Sequence, residues 1–340
     1  MESNNKAVLT SSELANIWGG YMNASLNVAV LSYYKEIVED EEILPVVNYA
    51  FNFSQDQVNK LSTILKNENH PVPHGFTNED VNLNAPKLYT DIYLLQNSLT
   101  LGTLGLNACA MAIGSSTRED IYTYFSNALQ EFNELHRMAR AVALSKGVYT
   151  RPPSIPTTEE VDYVKKQNFL SGWFGDRRPL LAVEISHLFS NIGRNTLGAA
   201  TLTGFTQVTQ SKEVKSYLKR GIEIAKKHVT IFSEVLEDSN VSVPMGSDAM
   251  VTDSHGISPF SDKLIMFHTT GMISQGIGFY GFAISTSSRR DLSAHYARLS
   301  AEIVLYSEDG INIMIDNEWL EEPPRMIDRD ELANTYKRKE

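Results

Sequence analysis

The sequence predicts an all-α protein made of two tandem four-helix bundles, and three observations support this prediction. The chain repeats itself, because a constant shift of 171 residues (284 − 113) lays its second half on its first without a gap. Apolar residues recur at three- and four-residue spacing through eight long segments. Short and long connections alternate between these segments, as expected when neighbouring helices run antiparallel.

The repeat is visible in the turns, charged pairs and prolines as well as in the apolar pattern. The turn at 72–75 falls on 243–246, the pair Arg118 and Asp120 falls on Arg289 and Asp291, and the prolines at 152–153 fall on those at 323–324. Solenoid units run roughly 20–50 residues, so a repeat of this length indicates a duplicated domain.

Each copy is predicted to contain four long helices. The first copy has them near 11–39, 42–67, 86–114 and 117–146, and the second near 180–208, 211–237, 258–287 and 289–316. Thr10 followed by Glu13 is typical of a helix start, and so is the run from Ser116 to Asp120. We predict these units: 8–156 first bundle, 157–179 aromatic connecting segment, 180–325 second bundle, 326–340 C-terminal tail.

Connection lengths predict the topology of each bundle. The segments 68–85 and 238–257 are rich in proline, asparagine and glycine and are long enough to run the length of a bundle. One such crossover per bundle is the arrangement of ferritin-like folds. Glycines in the seventh helix predict close backbone approach, with a flexible loop as the alternative: Gly271, Gly276, Gly278 and Gly281.

Composition narrows the function classes. The chain has 340 residues, is 42% apolar and has a net charge of −11, which argues against nucleic acid as a partner. Cys109 is the single cysteine, so no internal disulfide can form. The polar N-terminus lacks the apolar core of a signal peptide, which favours a cytoplasmic protein. The most apolar window, 99–113, falls short of the roughly 20 residues needed to span a membrane.

The connecting segment contains apolar and aromatic residues that need cover. Burying each of Phe169, Leu170, Trp173 and Phe174 is worth roughly 1.5–3 kcal/mol. We therefore expect this segment to pack into the seam between the bundles and to set their orientation. A covered loop is one alternative, and contact of Trp173 and Phe174 with another protein or a second copy is the other.

Several stretches together resemble a known family. They are 25–42, 71–81, Val148 to Pro153, Gly172 to Pro179, Ile185 to Asn191 and Arg289 to Leu292. The chain resembles the tandem-repeat, ferritin-like domain-of-unknown-function proteins of Bacillus and related spore formers, whose shorter members have a spore coat label. The resemblance implies the helical fold and a spore association. It implies no reaction and no catalytic residues.

A paired-metal site is not predicted. Ferritin-like di-iron sites need two Glu-x-x-His spacings, and the chain has one, from Glu184 to His187. A looser set remains, because each helix of the second copy has one histidine: His187, His228, His268 and His295. Together with Glu184 these could hold one transition-metal ion, zinc, iron or copper, if they meet at one level. The alternative is separate histidines that satisfy polar spots in the core.

Catalytic motifs give no further guidance, since the chain has no phosphate-binding loop, nucleophile elbow or Cys-x-x-Cys pair. The sequence favours a structural or interaction protein of a spore former over an enzyme. One alternative is a metal-binding or redox protein. Another is a carrier of a small apolar ligand in a cavity lined by Leu99, Leu104, Met111 and Phe279.

Overall fold

The computed structural model describes residues 7–173, 177–244 and 250–329 and is all-helical. Its long helices are α1 (Ser11–Ile37), α2 (Leu44–Asn67), α3 (Asp91–Ser115), α4 (Glu119–Ser145), α5 (Ala182–Val208), α6 (Lys212–Glu237), α7 (Asp262–Thr286) and α8 (Arg290–Asp316). In the described residues, extended structure amounts to two isolated β-bridges. The predicted all-α architecture of two tandem bundles is confirmed.

Helix starts follow their capping residues. The Thr10 hydroxyl accepts a hydrogen bond from the Glu13 backbone N–H, and the Glu13 carboxylate accepts one from the Thr10 N–H. Ser211 and Ser261 cap α6 and α7 in the same way through their side-chain oxygens. These bonds satisfy N–H groups that have no partner inside the helix, so α1, α6 and α7 begin directly after their capping residues.

The two bundles do not have wholly separate hydrophobic cores. A central hydrophobic cluster draws on both halves, with Tyr33 and Tyr93 from the first and Phe205 and Tyr306 from the second. Two outer clusters belong to one half each, around Phe132 in the first and Phe232 in the second. The halves therefore share their inner cores, because aromatic side chains of each reach across the contact. The predicted domain boundaries stay a prediction.

The two crossover segments pair with each other across the contact between the halves. Val81 bridges Phe260 and Tyr89 bridges Val251, both antiparallel. The Asn82 N–H donates to the Pro259 carbonyl at 2.8 Å, and the Thr90 N–H donates to the Met250 carbonyl at 3.1 Å. Under the repeat shift each bridge maps on the other to within one residue, so the halves are related by an approximate two-fold axis.

This pairing explains why α3 and α7 begin later than predicted. Residues 86–90 and 258–261 form the crossover contact, so the helices start at Asp91 and Asp262. The Tyr89 hydroxyl donates to the Thr201 carbonyl at 2.7 Å and adds a direct bond between the halves.

The connecting segment does not fill the seam, and that prediction is wrong for the residues the structure describes. Residues 154–168 are exposed, and the Trp173 side chain is 53% exposed. Phe169 is half-buried beneath the Arg178 guanidinium, 4.3 Å from its ring centre, near the start of α5. Phe174 lies outside the described residues. The crossovers already occupy the seam, which leaves no place there for this segment.

The close backbone approach predicted at the glycines of α7 does not occur. A Cβ at Gly271, Gly278 or Gly281 would meet no atom within 4 Å, and one at Gly276 would meet only the Ile303 side chain at 3.6 Å. Close approach occurs at other helical glycines instead, where a Cβ would clash with a neighbour: Gly102, Gly105, Gly204, Gly221 and Gly310. The sequence alone does not show whether a helical glycine faces a neighbouring helix or open space.

Candidate functional site: a cavity shared by both halves

A cavity of about 490 Å³ lies at the contact between the halves. All eight long helices contribute residues to its lining, and many occupy matching positions in the repeat. Leu26 and Leu197 form such a pair, and so do Asn97 and His268. The cavity therefore exists only in the assembled pair of halves.

In the first half, α3 and α4 form an apolar wall of the cavity, and polar side chains of α1 to α4, among them Asn16, Gln57 and Asn97, complete the lining. The apolar wall includes Leu101, Leu104, Gly105, Ala108, Cys109, Ala112 and Ala128, with Phe125 and Phe132. Ala108 and Cys109 stand where the second half has Phe279 and Tyr280. The smaller side chains leave space in the first half that aromatic rings fill in the second. Burial raises the pKa of the Cys109 thiol to about 11.

The second half mixes apolar and polar lining residues, and it contributes the charged side chain of the described lining, Arg194. Its guanidinium carbon lies 3.5 Å from the centre of the Phe279 ring. Its Nη1 donates to the Asn191 Oδ1 at 3.1 Å. Burial lowers the pKa of Arg194 to about 10, so the group is still a cation at neutral pH.

Neighbouring polar groups satisfy one another. The Asn195 Nδ2 donates to the Tyr280 hydroxyl at 2.8 Å and to the Asn191 carbonyl at 2.8 Å. Two buried polar atoms of the lining, the Asn191 Nδ2 and the His268 Nδ1, have no hydrogen-bond partner among the described residues. Burial lowers the pKa of His268 to about 4, so its ring is neutral at pH 7.

Glycines create much of the open space. Gly19, Gly198 and Gly271 line the cavity, and a Cβ at any of them would meet nothing within 4 Å. Gly193 and Gly278 are equally open but do not line the cavity. Substitutions at the two sets of glycines can therefore be compared to test whether the cavity binds a ligand.

Helix α3 is unusually apolar because it both lines the cavity and packs into the central core. In the described residues α3 alone is long and apolar enough, by length and composition, to cross a membrane. Its residues Leu101 and Leu104 line the cavity, while Tyr93 and Leu94 are buried in the central core. Both roles require apolar side chains over much of the helix surface.

Two of the four residues expected to line a carrier cavity do line this one, and the carrier function itself stays a prediction. Leu104 and Phe279 line the cavity, as expected, but Leu99 and Met111 do not. The Met111 side chain is 74% exposed, and Leu99 packs against the central core. Helical spacing placed these two on the wrong face of α3.

The residues proposed for a metal site are engaged elsewhere. Glu184 is fully buried, and its carboxylate accepts hydrogen bonds from Arg178 at 2.7 and 2.8 Å and from the Leu181 N–H at 2.9 Å. Although burial opposes it, these bonds lower the pKa of Glu184. The carboxylate therefore caps the N-terminus of α5.

The histidines occupy separate places. His228 hydrogen-bonds through Nδ1 with the Tyr280 hydroxyl at 2.9 Å and through Nε2 with the Glu302 carboxylate at 3.1 Å. His187 hydrogen-bonds with the Thr286 hydroxyl at 2.8 Å, and His295 is half-buried near the start of α8. Burial lowers the pKa of all three. No three His, Cys, Asp or Glu side chains in the described ranges lie close enough to hold a metal ion. The metal site stays a prediction.

Arg194 and Asn195 are the site residues that sequence reasoning missed. The repeat contains a signal for them, because they stand where the first half has Asn23 and Ala24. Because Arg194 and Asn23 both line the cavity, the replacement of an amide by a cation marks a position where the halves differ chemically.

Comparison with known proteins places the chain in a family. The family described as Protein of unknown function (DUF3231) matches residues 2–161 and again residues 168–332. The chain belongs to this family. The two matches coincide with the two halves of the repeat.

No curated protein matches this DUF3231 chain significantly. Among solved structures it is similar to a protein from Bacillus halodurans described as a putative spore coat protein. The identity is 16% and the TM-score 0.43, over 44% of this chain and 98% of that protein.

Proposed function

We propose that this protein binds a small, mainly apolar molecule in the cavity between its halves. The observation that supports this function is the cavity itself, about 490 Å³ and lined by all eight helices. Small-molecule sites have volumes of roughly 300–1,000 Å³, are mostly apolar and have a few placed polar groups. Arg194 and His268 are such groups in this lining.

The open glycines support binding over imperfect packing. Protein interiors are close-packed, with few voids larger than a water molecule. A glycine inside a helix costs about 1 kcal/mol relative to alanine. Gly198 and Gly271 bear this cost where a larger side chain would meet no neighbour, so helix stability is given up for space inside the cavity.

The test uses N-phenyl-1-naphthylamine, an apolar probe whose fluorescence rises in a dry site. We expect saturable binding to the wild-type protein and at least tenfold weaker binding to Gly271→Leu and Gly198→Leu, because leucine occupies the space. The matched controls are Gly278→Leu on α7 and Gly193→Leu on α5. Both make the same change at open positions outside the cavity and keep wild-type binding.

Two results would contradict the proposal. One is no saturable binding to the wild-type protein. The other is equal binding to the cavity variants and their controls, which would place the probe elsewhere. Circular dichroism and thermal unfolding of all four variants establish that each is folded.

The family resemblance supports a second proposal about setting: a spore-forming bacterium, cytoplasmic synthesis and incorporation into the spore. A structural or interaction role there is supported by the exposed side chain of Trp173. Antibody labelling of dormant spores and vegetative cells tests it, and signal confined to vegetative cells would contradict it. A ligand-binding role and a spore location are compatible.

A further inference from the structure

We infer that the bound molecule is an amphipathic carboxylate, with its anionic head at Arg194 and its apolar tail in the first half of the cavity. This inference rests on the proposed binding function and adds the chemical class and the orientation of the ligand. It depends on three observations: no acidic residue among those described lines the cavity, the Arg194 guanidinium keeps free N–H donors, and the two halves line the cavity with different residues.

Arg194 is a cation without an anionic partner. No aspartate or glutamate lies within ion-pair distance of it in the described part of the chain, and none lines the cavity. The Arg194 side chain is partly buried, and withdrawing a charge from water is costly unless it is paired. The protein has a net charge of −11, so an unpaired arginine here is not explained by a shortage of acidic residues.

The guanidinium is held in place but keeps free donors. Phe279 covers one face of it at 3.5 Å, and one hydrogen bond joins it to Asn191. A guanidinium has five N–H donors in a planar fork that matches a carboxylate. The described contacts use one of the five, which leaves enough for a two-point contact with an acid.

Nearby groups do not supply the missing negative charge. Tyr280 and Asn195 are hydrogen-bonded to each other and are neutral. Burial raises the pKa of the Tyr280 hydroxyl, which keeps it protonated at neutral pH. His268 also lines the cavity and is neutral.

The asymmetry of the lining gives the direction of the tail. The first half contributes no charged side chain to the described lining, and its α3–α4 wall offers Leu101, Leu104 and Phe132 around the space left by Ala108 and Cys109. Burying apolar surface there gains roughly 0.8 kcal/mol per methylene. The head therefore belongs at Arg194 and the chain in the apolar part.

The test compares decanoate with decanol by isothermal titration calorimetry at pH 7.5, below the concentrations at which either aggregates. The protein is first stripped of bound lipid on a hydrophobic resin. We expect decanoate to bind the wild-type protein at least tenfold more tightly than decanol. In Arg194→Met the two affinities become equal while that for decanol is unchanged.

Arg140→Met is the matched control, because Arg140 is exposed on α4 and does not line the cavity. It keeps the preference for the acid. Gly271→Leu loses both ligands. If Arg194→Met does not fold, the acid and alcohol affinities of the wild-type protein decide the question alone.

The outcomes separate this inference from the proposed function. Equal affinities for decanoate and decanol in the wild type, or an acid preference that survives in Arg194→Met, overturn the inference and leave the cavity function standing. Binding of the naphthylamine probe without binding of decanoate does the same. Failure of all three molecules to bind overturns both.

Discussion

Tyr217 and Tyr306 stack face to face with ring centres 4.2 Å apart, and each hydroxyl donates to the backbone carbonyl of the other residue. The hydroxyls reach these positions because Gly221 and Gly310 lack side chains, and a Cβ on either would lie under 3.0 Å from the facing ring. The first half has Val46 and Leu135 at the tyrosine positions and alanines at both glycine positions. The two halves thus pack the equivalent pair of helices with different residues: tyrosines against glycines in the second half, and aliphatic side chains against alanines in the first.

The substitution Gly310→Ala is expected to destabilise the protein. The new methyl group displaces Tyr217, and overpacking of this kind costs about 1–3 kcal/mol. The control Gly278→Ala has the same chemistry at an open position and is expected to stabilise the protein by up to about 1 kcal/mol. Urea unfolding measures both free energies. Equal effects of the two substitutions would contradict the tight contact at Gly310.

Glu13→Gln is expected to cost about 1–3 kcal/mol at pH 7, since the buried carboxylate accepts backbone hydrogen bonds. It accepts from Thr10, Thr117 and Arg118, each at 2.8 Å, and so joins the starts of α1 and α4. Burial alone would raise the pKa of Glu13, but these bonds outweigh it and lower the pKa from 4.5 to about 2.

The sign of the pH dependence follows from that lowered pKa. A carboxyl group with a lower pKa in the folded state stabilises the protein fully above about pH 4.5 and loses this contribution as the pH falls towards 2. The difference in unfolding free energy between wild type and Glu13→Gln should therefore shrink over that window. Glu36→Gln, at an exposed position of α1, is the control and should show little difference at any pH.

Cleavage of the connecting segment is expected to leave the halves associated. Lys165 and Lys166 lie in the exposed stretch 154–168, where trypsin has access. The crossover pairing and the shared central core then hold the two fragments together through size-exclusion chromatography. Separation of the fragments under native conditions would contradict the shared core.

A variant at the contact should weaken the nicked protein. A Cβ at Gly204 would clash with the Tyr89 ring, whose hydroxyl bonds to Thr201 across the halves. We expect nicked Gly204→Ala to dissociate at lower urea than the nicked wild type. Gly193→Ala, on the same helix at an open position, should behave like the wild type.

Elemental analysis tests the metal hypothesis. Protein purified without a metal-affinity tag is expected to contain less than stoichiometric zinc, iron or copper, because His228 uses both ring nitrogens and Glu184 caps a helix. One equivalent of metal that is lost in His228→Gln would contradict this expectation and support the predicted site. Lys226→Gln, on the same helix, serves as the control.

Local sequence patterns predicted the helices well, because apolar periodicity and capping depend on residues within one or two turns. Thr10 and Glu13 place the start of α1 from sequence alone. The exceptions are the starts of α3 and α7, where pairing of Tyr89 with Val251 competes with the helix. That competition is between residues more than 150 positions apart and leaves no local trace.

The site was harder to predict than the fold. Leu104 and Phe279 were assigned to a cavity correctly, while Met111 was not, since spacing alone does not say which side of α3 faces the other half. The histidines of the second half share a residue type but not a location, and Arg194 gained its significance only from what surrounds it.

The amino-acid sequence by itself determined the helical class, the duplication and the approximate limits of each helix, because these follow from the 3.6-residue period and from two copies of one pattern. Tertiary structure alone decided that the halves share a core, that their crossovers pair, and that a cavity opens between them at which Arg194 has no acidic partner among the described residues. The physical reason is that these features depend on the rotation and register of helices far apart in the chain. The side chains that fix such a register act only once the helices meet.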